Sequence, residues 1–107
     1  MLDSPKSFVR VAYNQSKNII IGVAVSSIIS EYPWSKKYGV IADIVVDSNF
    51  RRMGVGKKLV EDAENLLKTN FVKDIFIEIN NDNTISKSFF SKLSYRIISV
   101  TACKRID

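Results

Sequence analysis

The sequence predicts a mixed α/β (α+β) domain in the order β-β-β-α-β-α-β, on three observations. Two β-branched stretches, "FVRVAY" (8–13) and "IIIGVAVSSII" (19–29), flank the turn cluster "NQSKN" and read as a hairpin. A third, "VIADIVVD" (40–47), leads through a glycine-bearing connection into the clearest helical stripe of the chain. A fourth, "DIFIEIN" (74–80), follows that helix, which makes the sheet antiparallel at first and parallel across the helix.

Each element has its own signal. In the first strand Val9, Val11 and Tyr13 share one side. The segment "SEYPWSKKYG" (30–39) reads as a loop, punctuated by Pro33 and carrying Trp34. The strand 40–47 is nearly continuous in apolar residues and is expected to be buried on both faces. The helix over 54–69 presents Val55, Leu59, Val60, Ala63, Leu66 and Leu67 as one stripe, and Asn70 is its stop signal. Ile75, Ile77 and Ile79 alternate with Phe76 and Glu78 in the fourth strand. A second helix after "NNDN" places Ile85, Phe89 and Leu93 at steps of four, and "YRIISVTACKRI" closes the chain as a last strand or bent pair.

Bulk properties narrow the function. At 107 residues a single domain, 1–107, is expected, and 46% apolar residues suffice for one small core. No apolar window is long enough for a membrane span, and "MLDSPKSF" lacks the layout of a signal peptide, so a cytoplasmic protein is expected. One cysteine, Cys103, permits no internal disulfide and reads as a small strand residue. With no histidine, a zinc site and catalysis by cysteine–histidine or serine–histidine pairs are not expected; no metal is predicted. A net charge of +5 suits an anionic ligand, but the positive residues are scattered.

The stretch "RRMGVGKKLVEDAENLL" (51–67) carries the chemistry. A P-loop is excluded because no glycine pair has the required spacing before Lys-Ser or Lys-Thr, and a dinucleotide fingerprint is excluded because Leu59 stands where a third glycine is needed. What remains is R-x-x-G-x-G at Arg51, Gly54 and Gly56, between a strand and a helix. The first N–H groups of a helix lack internal partners and favour anions, glycines let a ligand approach the backbone, and Arg51, Arg52 and Lys57 add positive charge. Spacing alone fits a pyrophosphate cradle and a tight strand-to-helix turn equally.

"DIVVDSNFRRMGVGKKLVEDAENLL" resembles the signature segment of the GNAT superfamily of acyl-CoA-dependent N-acyltransferases, with Ser48 in place of the family's proline. "NTISKSFFSKLSY" (83–95) is similar to the second family segment, and together the two cover about residues 38–98. The resemblance implies acetyl-CoA as cofactor. It implies that the backbone of Ile44, Val45 and Val46 pairs with the pantetheine arm. The N–H groups of Arg52, Met53, Gly54, Val55, Gly56 and Lys57 would cradle the pyrophosphate, and Asn83 would reach the cofactor from the second helix. Val45 and Val46 are also ordinary sheet residues, and Asn83 is also a good N-cap.

The resemblance leaves the chemistry less complete. Phe90 stands where many members have a tyrosine that protonates the leaving thiolate, and Tyr95, the weak candidate acid, occupies an aromatic position that packs into the core in relatives. A strand glutamate of the family is Ala42 here, and Asp43 beside it should face the other way unless a bulge re-aims it. Glu78 is the candidate base, its alternative being a solvated or structural strand residue. An oxyanion would be held by an N–H at Val45 or Val46 if the strand bulges there.

Family members usually begin with a strand and two helices that wall the acceptor site, which this chain lacks; the expected acceptor side is open, completed by a second subunit, or absent. A free sheet edge then favours a homodimer. The expected activity is transfer of the acetyl group of acetyl-CoA to a primary amine, on a small molecule or peptide, by direct attack in a ternary complex. The alternative is a non-catalytic acyl-CoA-binding module. A third reading, a small basic nucleic-acid-binding domain, predicts salt-dependent nucleic-acid affinity and indifference to coenzyme A.

Overall fold

The computed structural model describes residues 6–31, 36–99 and 101–106. Pro33 and Trp34 lie outside the described residues. The elements are β1 (Lys6–Asn14), β2 (Ile19–Glu31), β3 (Lys36–Val46), a 3₁₀ turn (Ser48–Phe50), α1 (Val55–Thr69), β4 (Ile75–Ile77) and α2 (Thr84–Lys92). They form one sheet in the order β1-β2-β3-β4, antiparallel from β1 to β3 and parallel between β3 and β4. This is the expected α+β arrangement with its mixed sheet.

The hairpin forms where the turn cluster sits, with Asn18 in the left-handed region at φ 58° and the Asn14 carboxamide accepting the Lys17 N–H at 2.9 Å. The segment expected as a loop over 30–39 is largely strand. The β2–β3 ladder runs on to Glu31↔Lys36 because each added pair satisfies backbone polar groups on both strands.

Helix α1 lies across one face of the sheet, burying Leu59, Val60, Ala63 and Leu67. Two strand glycines set how close it comes. A Cβ on Gly22 would stand 2.9 Å from Leu59 Cδ1, and one on Gly39 would stand 2.8 Å from Leu67 Cδ1. The two leucines are about two helical turns apart, so the glycines seat both ends of the helix. The core beneath joins Ile41, Val60, Ala63 and Phe90, with Ile28, Leu67 and Val72 alongside.

The other sheet face is open. Val9, Val11 and Val45 are 67%, 51% and 58% exposed, so β3 is buried on its helix face only and not, as its composition suggests, on both. Helix α2 is rotated from its expected setting: Phe90 enters the core while Ile85 is 82% exposed. Residues five apart lie about 140° round a helix, so both cannot face inward. The fourth strand is also shorter than expected, Ile75–Ile77, and leaves only a three-residue edge. The predicted final strand does not form: residues 95–99 and 101–106 are non-strand, with Ile97, Ile98 and Ile106 exposed. Cys103, expected within it, is exposed outside any strand.

Candidate active site

The site begins where the sheet opens. The parallel β3–β4 ladder consists of Gly39↔Ile75, Val40↔Phe76 and Ile41↔Ile77, and then ends while β3 continues to Val46. From Ala42 onward the edge of β3 that faces away from β2 has no strand beside it among the described residues. Hydrogen-bonding direction alternates along a strand. Asp47 N–H donates to Ile21 C=O at 2.7 Å, opposite in register, so Val45 also aims its backbone groups at β2 while those of Ile44 and Val46 aim into the cleft. The three-residue pairing edge implied by the sequence thus narrows to Ile44 and Val46. Val46 C=O already accepts a 3.3 Å bond from Arg51 Nε, which folds the guanidinium back onto the end of the cleft.

The cleft leads to the start of α1. Asp47 accepts the Asn49 N–H at 2.8 Å and caps the 3₁₀ turn, and Phe50, 8% exposed, anchors it. Lys17 of the hairpin sits over the Phe50 ring at 5.3 Å. Arg52 then takes φ 64° and Gly54 φ 80°, two left-handed residues on either side of Met53. For Arg52 that geometry is strained; for Gly54, with nothing within 4 Å of a built Cβ, it is free. Gly54 caps α1 without a side-chain bond, and the first bond of the helix is Lys58 N–H to Gly54 C=O at 3.1 Å. The N–H groups of Val55, Gly56 and Lys57 therefore precede the helical ladder at the positive end of the dipole. Arg51, Arg52, Met53 and Lys57 are exposed around them.

Helix α2 forms the second wall. Asn83 caps it, its side chain accepting the Ser86 N–H at 2.9 Å. Phe89, read in the sequence as part of the helix stripe and not as a site residue, has its Cζ 3.5 Å from where a Gly56 Cβ would be, with Val46 Cγ2 at 3.7 Å. It joins the three elements that meet at the cradle. Its step-of-four spacing with Ile85 and Leu93 marks it in the sequence as a packing residue, and nothing there ties it to the cradle. A shallow groove of about 390 Å³, lined by Thr84, Ile85, Ser88, Phe89 and Lys92, runs along this helix.

Phe90 shares a core cluster with Ile41, the last residue of β3 that pairs with β4, and so lies beneath the opening of the cleft. Tyr95, the candidate acid, is held elsewhere. Its ring meets Phe90 edge-on at 5.4 Å, and its hydroxyl donates to Glu64 Oε2 of α1 at 2.7 Å. Burial first, and then the Glu64 carboxylate, push its pKa up, which keeps the proton on the hydroxyl. Glu78, the candidate base, is exposed one residue beyond β4. Ile75, Ile77 and Ile79 pack on the core, so the alternation carries Glu78 to the open face, across the cleft from β3.

A mixed sheet whose parallel pair splays beside a glycine-led helix start is an acetyltransferase-type fold. The described structure superposes on a putative acetyl transferase from Pyrococcus furiosus with a TM-score of 0.85 and 25% identity, over 94% of this chain and 66% of that one. It superposes on an aminoglycoside 6'-N-acetyltransferase from Acinetobacter haemolyticus with a TM-score of 0.75 and 25% identity, over 95% and 72%. A curated relative, the chloroplastic GCN5-related N-acetyltransferase 6 of Arabidopsis thaliana, is 20% identical over 73 residues, which is 68% of this chain and 25% of that protein. The sequence profile of the acetyltransferase (GNAT) family matches residues 1–95, and the chain belongs to that family. It spans a quarter of the curated relative and about two thirds of the Pyrococcus structure.

Proposed function

We propose that this chain is an N-acetyltransferase domain that takes acetyl-CoA and acetylates a primary amine. One observation carries the reading: an unpaired strand edge, at Ile44 and Val46, ends at a helix start whose first three N–H groups lie outside the ladder. The edge offers alternate donors and acceptors to an amide-bearing arm, and the helix start offers donors and positive potential to a pyrophosphate. Acetyl-CoA, when bound, supplies the acetyl thioester. In the same reading Asn83 and Phe89 border the arm from α2. Glu78 takes the proton of the attacking amine, which attacks directly in a ternary complex.

The test is thermal unfolding with increasing acetyl-CoA. Saturation at about 100 times Kd adds roughly 2.7 kcal/mol, and a domain of this size shifts by about 4–8 °C per kcal/mol. Gly54→Val should remove that shift, since valine disfavours the left-handed geometry and fills the approach to the backbone. Full retention of the shift in Gly54→Val would reduce the R-x-x-G-x-G stretch to a turn.

A second reading, an acyl-CoA-binding module without turnover, is favoured by the absence of a hydroxyl at Phe90 and the commitment of Tyr95 to Glu64. Acceptor-dependent release of free thiol decides between them. Against it, a missing acid or base costs about 10²–10⁴-fold each, whereas positioning the reactants supplies about 7–11 kcal/mol.

A further inference from the structure

We infer that the outer edge of β1 is an interface for a second copy of this chain, paired antiparallel across a two-fold axis with Val11 opposite its own counterpart. The inference is independent of the acetyl-transfer reading and concerns the edge of the sheet away from the cleft.

The backbone supplies the first part. β1 is the terminal strand of the sheet, with no strand on its outer side among the described residues. Asp47 N–H bonds Ile21 C=O, so Ile21, Val23 and Val25 aim their backbone groups at β3, and Gly22, Ala24 and Ser26 aim theirs at β1. The β2–β3 ladder passes from Val25↔Asp43 directly to Ser26↔Ile41, but the extra residue of this bulge, Ala42, lies on β3 and leaves the alternation of β2 intact. The partners of Gly22, Ala24 and Ser26 are Ala12, Arg10 and Phe8. The N–H and C=O groups of Ser7, Val9 and Val11 are therefore directed outward, a template for one more strand. At the other edge β4 offers three residues.

The side chains supply the second part. Arg10 is the one charged residue between Ser7 and Asn14, and a charge on an edge strand ordinarily blunts it. Here it is turned to the helix side and bonded to Asp62 of α1 at 2.9 Å through both its Nε and Nη2. A groove of about 640 Å³ between residues 9–13 and Val55, Lys58, Leu59 and Asp62 leaves room on that side for an incoming strand. On the opposite face Val11, Val23 and Val45 stand in one row, and Val9 and Val25 in the next.

A two-fold interface requires a surface that matches itself. With Val9 opposite its counterpart, Val11 meets Ser7, and Tyr13 has no partner within the strand. With Arg10 opposite its counterpart, two guanidinium groups stand face to face, which is unfavourable. With Val11 opposite its counterpart, Arg10 meets Ala12 and Val9 meets Tyr13. The exposed row then runs Val45, Val23, Val11 and on through the same three valines of the second copy in reverse order. That self-matching row commits the edge to a second copy and sets its register.

Sedimentation of the full chain over a range of concentrations tests the pairing. A mass of two chains is expected, falling to one on dilution. Val11→Lys opposes two like charges at the axis and should weaken the dimer by about tenfold or more, with the acetyl-CoA thermal shift retained as the sign of a folded domain. Oxidative cross-linking in a Cys103→Ser background tests the register. A hydrogen-bonded antiparallel pair sets its Cα atoms about 5.5 Å apart, within disulfide reach, so Val11→Cys should cross-link, and Val9→Cys and Arg10→Cys should not. A monomer at all concentrations, or a dimer indifferent to Val11→Lys, overturns the interface. Cross-linking through position 9 or 10 in place of 11 overturns the register.

Discussion

Tyr95 shows how one side chain can be diverted from chemistry to architecture. Its hydroxyl donates to Glu64, its ring packs edge-on against Phe90, and its pKa is raised, with burial the largest cause. The direction fixes how it acts on stability. In the unfolded chain a tyrosine ionises near pH 10. The folded state holds the proton beyond that, so the contribution is intact below about pH 10 and lost as pH rises further. Urea unfolding of wild type and Tyr95→Phe should therefore differ at pH 8 by roughly the 0.5–1.5 kcal/mol of an ordinary hydrogen bond, and the gap should close above pH 10. A gap independent of pH would mean that ring packing, not the hydroxyl, is what the variant disturbs. The core position of Tyr95 was legible from the family-like segment that ends on it. Its partner, 31 residues earlier on α1, was not, because Glu64 sits on the helix flank where sequence sees only another charged residue.

At the scale of elements, both helices end in the same device. In α2, Tyr95 N–H bonds Phe90 C=O and Ser94 N–H bonds Ser91 C=O, each at 3.0 Å. In α1, Val72 N–H bonds Leu67 C=O at 3.2 Å and Phe71 N–H bonds Lys68 C=O at 3.0 Å. These are Schellman motifs, and each is closed by its apolar contact, Tyr95 on Phe90 and Val72 on Leu67. The left-handed residue in each is usually glycine, yet here it is Phe71 at φ 65° and Ser94 at φ 73°. That geometry costs a non-glycine residue about 1–2 kcal/mol, against about 0.5–1 kcal/mol of extra chain entropy that glycine would lose. Phe71 is 84% exposed, so little packing is lost with its ring. Phe71→Gly and Ser94→Gly should each stabilise by about 0.5–1 kcal/mol and together raise Tm by several degrees. A Tm unchanged or lowered in both would show that the strain is relieved in solution. Asn70 announced the first of these ends in sequence. The bulge at Ala42 was announced more quietly: facing residues at Gly39 and Ile41, then Ile44 and Val46, break the period of two, but a continuous apolar run hides the break until the register is known.

Across the whole molecule, the order of elements was legible because each depends on a local period, whereas the final strand depended on a partner. With β4 reduced to three residues the edge beside it is too short to hold that strand, and its isoleucines remain exposed. The same short strand makes the cleft. β3 is secured to β2 along its length but to β4 only through Ile41, so its two edges have unequal stability past that point. Amide exchange reads this directly, because protection follows local hydrogen bonding. In the free protein the Val45 amide, directed at Val23, should exchange slowly, and those of Ile44 and Val46, directed into the cleft, should exchange fast. Acetyl-CoA should slow Ile44 and Val46 by about tenfold or more, the equivalent of one hydrogen bond gained, and leave Val45 where it was. Equal slowing along all of β3 would instead mean that the ligand stiffens the sheet as a unit. No slowing at Ile44 and Val46, with the thermal shift intact, would move the cofactor off this edge and leave only the helix start to hold it.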